Sequence, residues 1–167
     1  MTRYLLDANI FIQAKNLHYG FDFFPAFWEW LDQQNALGRV ASVERIGDEL
    51  EAGEDELSDW ANERASNFFL PPDNQILPVL GEVSNWVNNQ GYEPAAIFTF
   101  LQDPDYWIIC HARAYDYTIV THEVASNSKR RVKIPDVCLG MNIHYVSAFQ
   151  MLRRERARFV LGSIDPD

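Results

Sequence analysis

LQDPDYWIICHARAYDYTIVTHE, residues 101–123, reads as one helix feeding one buried strand, with acidic residues at both ends. After Asp103-Pro104, the apolar side chains Trp107, Ile108, Cys110, Ala112 and Ala114 recur at an imperfect helical spacing that runs on to Tyr115. That spacing predicts a helix beginning near Asp105. Thr118-Ile119-Val120-Thr121 follows, a run of β-branched residues suited to a short strand buried on both faces. The run stops at His122-Glu123, so Asp105 stands at a helix start and Glu123 just past the carboxyl end of a strand.

The amino terminus repeats this arrangement. Tyr4-Leu5-Leu6 is a short apolar run that stops at Asp7, and Ala8-Asn9-Ile10-Phe11-Ile12 begins a helical pattern with Asp7 or Asn9 as its cap. In open parallel sheets, ligands bind at the carboxyl edge of the strands. Asp7 and Glu123, far apart in sequence, are therefore expected to converge there.

Outward from these two units the chain alternates short strands with helical segments. A helix over 9–17 precedes an aromatic stretch from Phe21 to Leu31, in which Pro25 suits the first turn of a second helix running to about Ala36. Arg39-Val40-Ala41-Ser42 reads as a strand, with Ser42 as cap of a helix that places Val43, Ile46 and Leu50 on one face and Glu49 at its edge. Helices are predicted over 55–68, over about 78–89 and over 95–101. Val132-Lys133-Ile134 reads as a third strand ending at Pro135, and Asp136 begins a short helix. Residues 143–146 fit strand and helix equally, and Ser147 caps a final helix reaching Arg158. The pattern predicts a three-layer α/β/α architecture with a small, mainly parallel sheet, in one domain over 1–167.

Composition narrows the function. With 47% hydrophobic and 14% aromatic residues in 167, the chain can bury a core without disulfides. Cys110 and Cys138 fall in apolar helical surroundings, which fits a reducing compartment, and no zinc-type Cys/His spacing occurs. Asp7 and Asn9 interrupt the first apolar residues, so neither a signal peptide nor a membrane span is expected, and the cytoplasm is the expected location. The net charge of −10 argues against a nonspecific nucleic-acid coat. Its distribution matters more: cations gather between Lys129 and Arg158, and acids between Glu44 and Glu56. That asymmetry suits a nucleic-acid face beside an acidic pocket, or two solvated surfaces.

Asp7, Glu49, Asp105 and Glu123 around one cleft would repel one another unless a cation compensates. Mg²⁺ or Mn²⁺ is the economical candidate, because both favour carboxylate and water ligands. Each acid also has a plain structural reading. Asp7 and Asp105 suit helix starts, Glu49 and Glu44 suit a solvated helix face, and Glu123 suits a loop.

The chain resembles the PIN domain family, the Mg²⁺/Mn²⁺-dependent nuclease fold that includes the toxin ribonucleases of toxin–antitoxin pairs. The resemblance rests on YLLDANIFI at 4–12, SVERIGDEL at 42–50 and DYWIICHARAYDYTIVTHE at 105–123, with a looser match in VKIPDVC at 132–138. Position by position it implies Asp7, Glu49, Asp105 and Glu123 as the catalytic, metal-holding acids. Glu44 and Asp48 compete with Glu49, and Asp103 competes with Asp105. Glu123 stands where the family usually has aspartate, which leaves open whether it binds metal directly or through water and whether Asp136 assists.

The resemblance further implies metal-assisted hydrolysis of RNA phosphodiester bonds and an antitoxin partner. The aromatics from Phe21 to Leu31 supply more apolar surface than one short helix needs, so part of them is expected to cover a homodimer or antitoxin contact; no membrane partner is expected from the sequence. Lys129, Arg130, Arg131 and Lys133 are candidate phosphate contacts. The competing reading is a catalytically inactive PIN-like module that binds RNA or protein. A small metal-dependent phosphatase is disfavoured, because Asp7-Ala8-Asn9 offers no second aspartate beside the nucleophile position.

Overall fold

Residues 1–162 are described by a computed structural model, and the last five residues of the expected 1–167 unit lie outside them. The strands are β1 (Tyr4–Leu6), β2 (Val40–Val43), β3 (Phe69–Leu70), β4 (Thr118–Val120) and β5 (Tyr145–Val146). They pair in the order β3-β2-β1-β4-β5. Each ladder is parallel, with Tyr4 opposite both Val40 and Thr118, Ser42 opposite Phe69, and Ile119 opposite Tyr145. Helices cover both faces, which makes the three-layer α/β/α arrangement. No described helix is long and apolar enough to cross a membrane.

β1 lies at the centre of the sheet, and Tyr4, Leu5 and Leu6 are fully buried. Strands covered on both faces need continuous apolar sequence rather than alternation, which is why three residues suffice to mark β1. Tyr4 keeps its polar end satisfied by donating its hydroxyl to Glu155 at 2.9 Å. Burial, then the Glu155 carboxylate, pushes that phenol up to about 12.

The helices are α1 (Ala8–Gln13), α2 (Pro25–Ala36), α3 (Glu44–Glu51), α4 (Glu56–Phe68), α5 (Leu77–Asn88), α6 (Pro94–Gln102), α7 (Pro104–Tyr115), α8 (Ile134–Met141) and α9 (Ala148–Arg154). α1 runs into a π-helical turn over Ala14–His18. Asp103, rather than Asp105, caps α7: its carboxylate accepts the Asp105 amide at 2.9 Å, and Pro104 follows at the first helical position. Asp116, in the left-handed region at φ 58°, ends the helix and turns the chain into β4.

Several expectations give way to tertiary structure. Residues 132–134 form no strand, because Ile134 opens α8 and Pro135 supplies the fixed φ and missing N–H that a first turn tolerates. The strand that pairs with the outer edge of β4 is instead Tyr145–Val146. Ser42 does not cap α3. It lies inside β2, and its buried hydroxyl donates to the Leu6 carbonyl at 2.6 Å. β3, two residues long, falls where the sequence suggests only a helix end and a turn. α9 stops at Arg154, after which Phe159 packs edge-on against Phe24 at 5.3 Å and also meets Phe27 and Trp30.

The aromatic stretch is largely spent on this chain's own core. Phe27, Trp28, Trp30 and Leu31 are buried, Tyr19 stacks on Phe27 at 4.3 Å, and Phe21 stacks on Trp28 at 4.1 Å. Phe23 stays exposed, so the part of the stretch left for a homodimer or antitoxin contact is its rim.

Candidate metal and active site

Asp7 ends β1 and caps α1, and both roles follow from its placement between an apolar strand and a helical pattern. Its Oδ1 accepts the Ala8 amide at 2.7 Å, and its Oδ2 accepts the Thr121 hydroxyl at 3.1 Å. Its own amide donates to the Val120 carbonyl at 2.9 Å, which stitches the ends of β1 and β4 together. Asp7 is only 3% exposed, yet among the described residues no lysine or arginine pairs with it. Burial first, and then the charge of Glu123, pushes its carboxyl up to about 6 against the Thr121 and Ala8 hydrogen bonds.

Asp105 enters from the first turn of α7 and is partly buried. Desolvation raises its pKa strongly, and the charges of Asp7, Asp103 and Glu123 add to the rise. Burial and neighbouring charge of this kind favour the neutral carboxyl, and a cation would favour the charged one.

Glu123 follows β4 and is fixed on three sides. Its amide donates to the Thr121 hydroxyl at 3.1 Å, its Oε2 accepts the Ile134 amide at 2.9 Å, and its Oε1 accepts Arg131 Nη2 at 2.7 Å. The acid thereby satisfies the free N–H at the start of α8. Glu49 lies at an exposed position on α3, where partial burial and the charge of Asp103 raise its pKa.

The four acids therefore come to one edge of the sheet and act on one another electrostatically. They do not meet at ligand distance: among the described residues, no three His, Cys, Asp or Glu side chains stand close enough together to hold a metal ion. Asp103 belongs to this group as a cap and as a charge on Asp105 and Glu49. Asp136 lies in the first turn of α8, with Oδ1 accepting the Ser126 amide at 3.0 Å and a buried Oδ2 that has no hydrogen-bond partner among the described residues. Glu44 and Asp48 line a separate groove between α3 and α4.

Beside the acids lies an open cavity of about 310 Å³, lined by Thr99, Phe100, Asp103, Asp105, Arg130 and Arg131. Its cationic wall is a strap pinned to the start of α6. The Glu93 amide donates to the Lys129 carbonyl at 2.9 Å, Lys129 lies over the Tyr92 ring, and Arg130 pairs loosely with Glu93 at 3.8 Å. Lys133 reaches only the Val124 carbonyl.

Two participants carry more of the geometry than their sequence context suggests. Thr121 is a strand residue by pattern, yet it joins Asp7 to Glu123. Arg131 is one of several cations in its segment, but it is the one placed on a site acid. Spacing offers a clue to the first, since a hydroxyl two residues before an acid suits a short side-chain turn. Only the three-dimensional path reveals the second.

Comparison with other proteins identifies the family. Residues 4–159 match the profile of DUF4411, a domain of unknown function. The chain belongs to the DUF4411 family. No curated protein matches it significantly. Among solved structures it is similar to a chain in the crystal structure of VapBC2 from Rickettsia felis bound to a DNA fragment from their promoter. The match has 16% identity and a TM-score of 0.56, and it covers 87% of this chain and 98% of the other. At that identity the likeness concerns the fold, and this DUF4411 member has the PIN-like, Rossmann-like architecture.

Proposed function

We propose that the chain is an Mg²⁺- or Mn²⁺-dependent endoribonuclease, acting in the cytoplasm as the toxin of a toxin–antitoxin pair, with 1–167 as one working domain. The observation that carries this reading is Asp7, a nearly inaccessible carboxylate that no described lysine or arginine pairs with, beside Asp105 and Glu123 at the carboxyl edge of a parallel sheet. The PIN-like fold and the resemblance in motifs support it.

The donor chemistry fits a hard dication. Asp7, Glu49, Asp105 and Glu123 would hold it, all through oxygen; burial first and then the charge of neighbouring acids raise Asp7 and Asp105, a cost that a bound dication would offset. Such an ion supplies a water activated at neutral pH and offsets charge on the leaving oxygen of a phosphodiester.

The chain's own residues do the positioning. Thr121 fixes the rotamer of Asp7 and the backbone at Glu123, while Asp103 fixes the start of α7 and so the position of Asp105. The cavity beside Asp105 gives a phosphate backbone a cationic wall in Arg130 and Arg131. An antitoxin that presents basic side chains to the same acidic edge would be held by the same charges.

A second reading, a noncatalytic RNA- or protein-binding module, draws on a specific observation. Both Glu123 oxygens are engaged, and no three described candidate ligands stand together. Asp7→Asn and Asp105→Asn separate the two readings. Each should abolish divalent-dependent cleavage of a broad RNA pool while preserving native circular dichroism, since asparagine keeps the size and capping oxygen but loses the charge. A wild-type chain that cleaves no member of that pool with Mg²⁺ or Mn²⁺ favours the module reading instead.

A further inference from the structure

The salt bridge between Arg131 and Glu123 is asymmetric. The Glu123 side chain is 9% exposed and its second oxygen is committed to the Ile134 amide, whereas the Arg131 side chain is 62% exposed. The arginine can therefore leave without dismantling any core, while the carboxylate stays where the backbone holds it. Arg131 also lines the cavity that opens on Asp105, so a guanidinium released from Glu123 remains on the cavity wall.

Glu123 adds to the charge on both Asp7 and Asp105. Among the described residues, the cation on its Oε1 is the one paired directly with any of the four candidate acids. A dication approaching that edge competes with Arg131 for the same oxygen. A displaced guanidinium has a fork geometry suited to two oxygens of one phosphate.

We propose that Arg131 is an exchangeable counter-cation: it holds Glu123 while no dication is present, and it turns into the cavity to hold a phosphodiester of single-stranded RNA once a dication takes its place. This assignment rests on the nuclease reading and makes Arg131 a positioning residue whose two roles have opposite signs. Removing it should tighten metal binding and weaken RNA binding.

The test uses the full chain and the variants Arg131→Gln and Arg130→Gln. Calorimetric titration with MnCl2 should show Arg131→Gln binding about threefold to fivefold tighter than wild type, the scale of one exposed ion pair. Arg130→Gln should bind Mn²⁺ like wild type, because Arg130 pairs with Glu93. Anisotropy with a short single-stranded RNA in Ca²⁺ should show Arg131→Gln binding about tenfold weaker, with the slope of log affinity against log salt reduced by about one.

Unchanged or weaker Mn²⁺ binding by Arg131→Gln overturns the exchange. Equal tightening by Arg130→Gln also overturns it, since general charge reduction would then account for the effect. A wild-type chain that takes up no Mn²⁺ defeats the nuclease reading, and this inference falls with it.

Discussion

Thr121 donates its hydroxyl to the Asp7 carboxylate at 3.1 Å, across 114 residues of sequence. The same oxygen accepts the Glu123 amide, so one small side chain fixes two acids. Thr121→Val keeps the shape but leaves a buried carboxylate oxygen without its donor. It should cost about 2 kcal/mol of stability in urea unfolding, and Thr121→Ser should recover most of the loss. A valine variant as stable as wild type would show that the hydroxyl has no such role.

Asp7 gives the chain an inverted pH response in the absence of metal. Its folded pKa of about 6 lies above the ordinary 3.8, so the folded state binds more protons than the unfolded state between those values. Stability is therefore greatest below the lower value and falls as pH rises through the upper one, by on the order of 3 kcal/mol. Asp105, raised in the same direction, extends the fall to higher pH. In chelator, Asp7→Asn should be more stable than wild type at pH 7 and should lose its advantage near pH 4. Urea unfolding at both pH values measures the difference.

Divalent metal should reverse that penalty. At about 100 times its dissociation constant, an ion bound only by the folded chain adds about 2.7 kcal/mol, or roughly 5–10 °C in Tm for a chain of this size. Thermal unfolding in chelator and then in excess Mg²⁺ or Mn²⁺ should show the rise in wild type, and Asp7→Asn should lose most of it. An identical Tm in millimolar metal would leave these acids without a metal role.

Gly140 on α8 sits directly against Trp86 on α5. A Cβ there would lie 1.9 Å from the indole ring, so Gly140→Ala must displace the ring. The gain in helix propensity is smaller than the overpacking cost, and the net loss should be about 1–3 kcal/mol. Chemical unfolding of the alanine variant gives the sign directly.

The parts of this structure legible in the sequence are those where local pattern and tertiary demand agree. Tyr4–Leu6 and Thr118–Val120 are continuous apolar or β-branched runs because strands covered on both faces require them. β3 and β5, at two residues each, carry too little pattern to mark themselves and exist through pairing with β2 and β4. Val132–Ile134 has strand composition, but Pro135 and the Glu123 carboxylate make its end a helix start. At the candidate site, the placement of Asp7, Asp105 and Glu123 at element ends was readable from sequence. The cap at Asp103, the hydroxyl bridge from Thr121 and the choice of Arg131 over its neighbours depend on contacts between distant segments, which spacing along one chain does not encode.

The central position of β1 sets a schedule for the molecule as it leaves the ribosome. Residues 4–6 emerge before both of their partners and can pair with residues 40–41 early, but their other edge waits for residues 118–120. Until then Asp7 has neither Thr121 nor Glu123 nearby, and its strand edge is open to whatever can bond to it. A nascent or prematurely ended chain that stops before β4 is therefore an incomplete sheet with a single isolated strand-end carboxylate. Completion of the central sheet and assembly of its acidic edge come together, when β4 docks on β1.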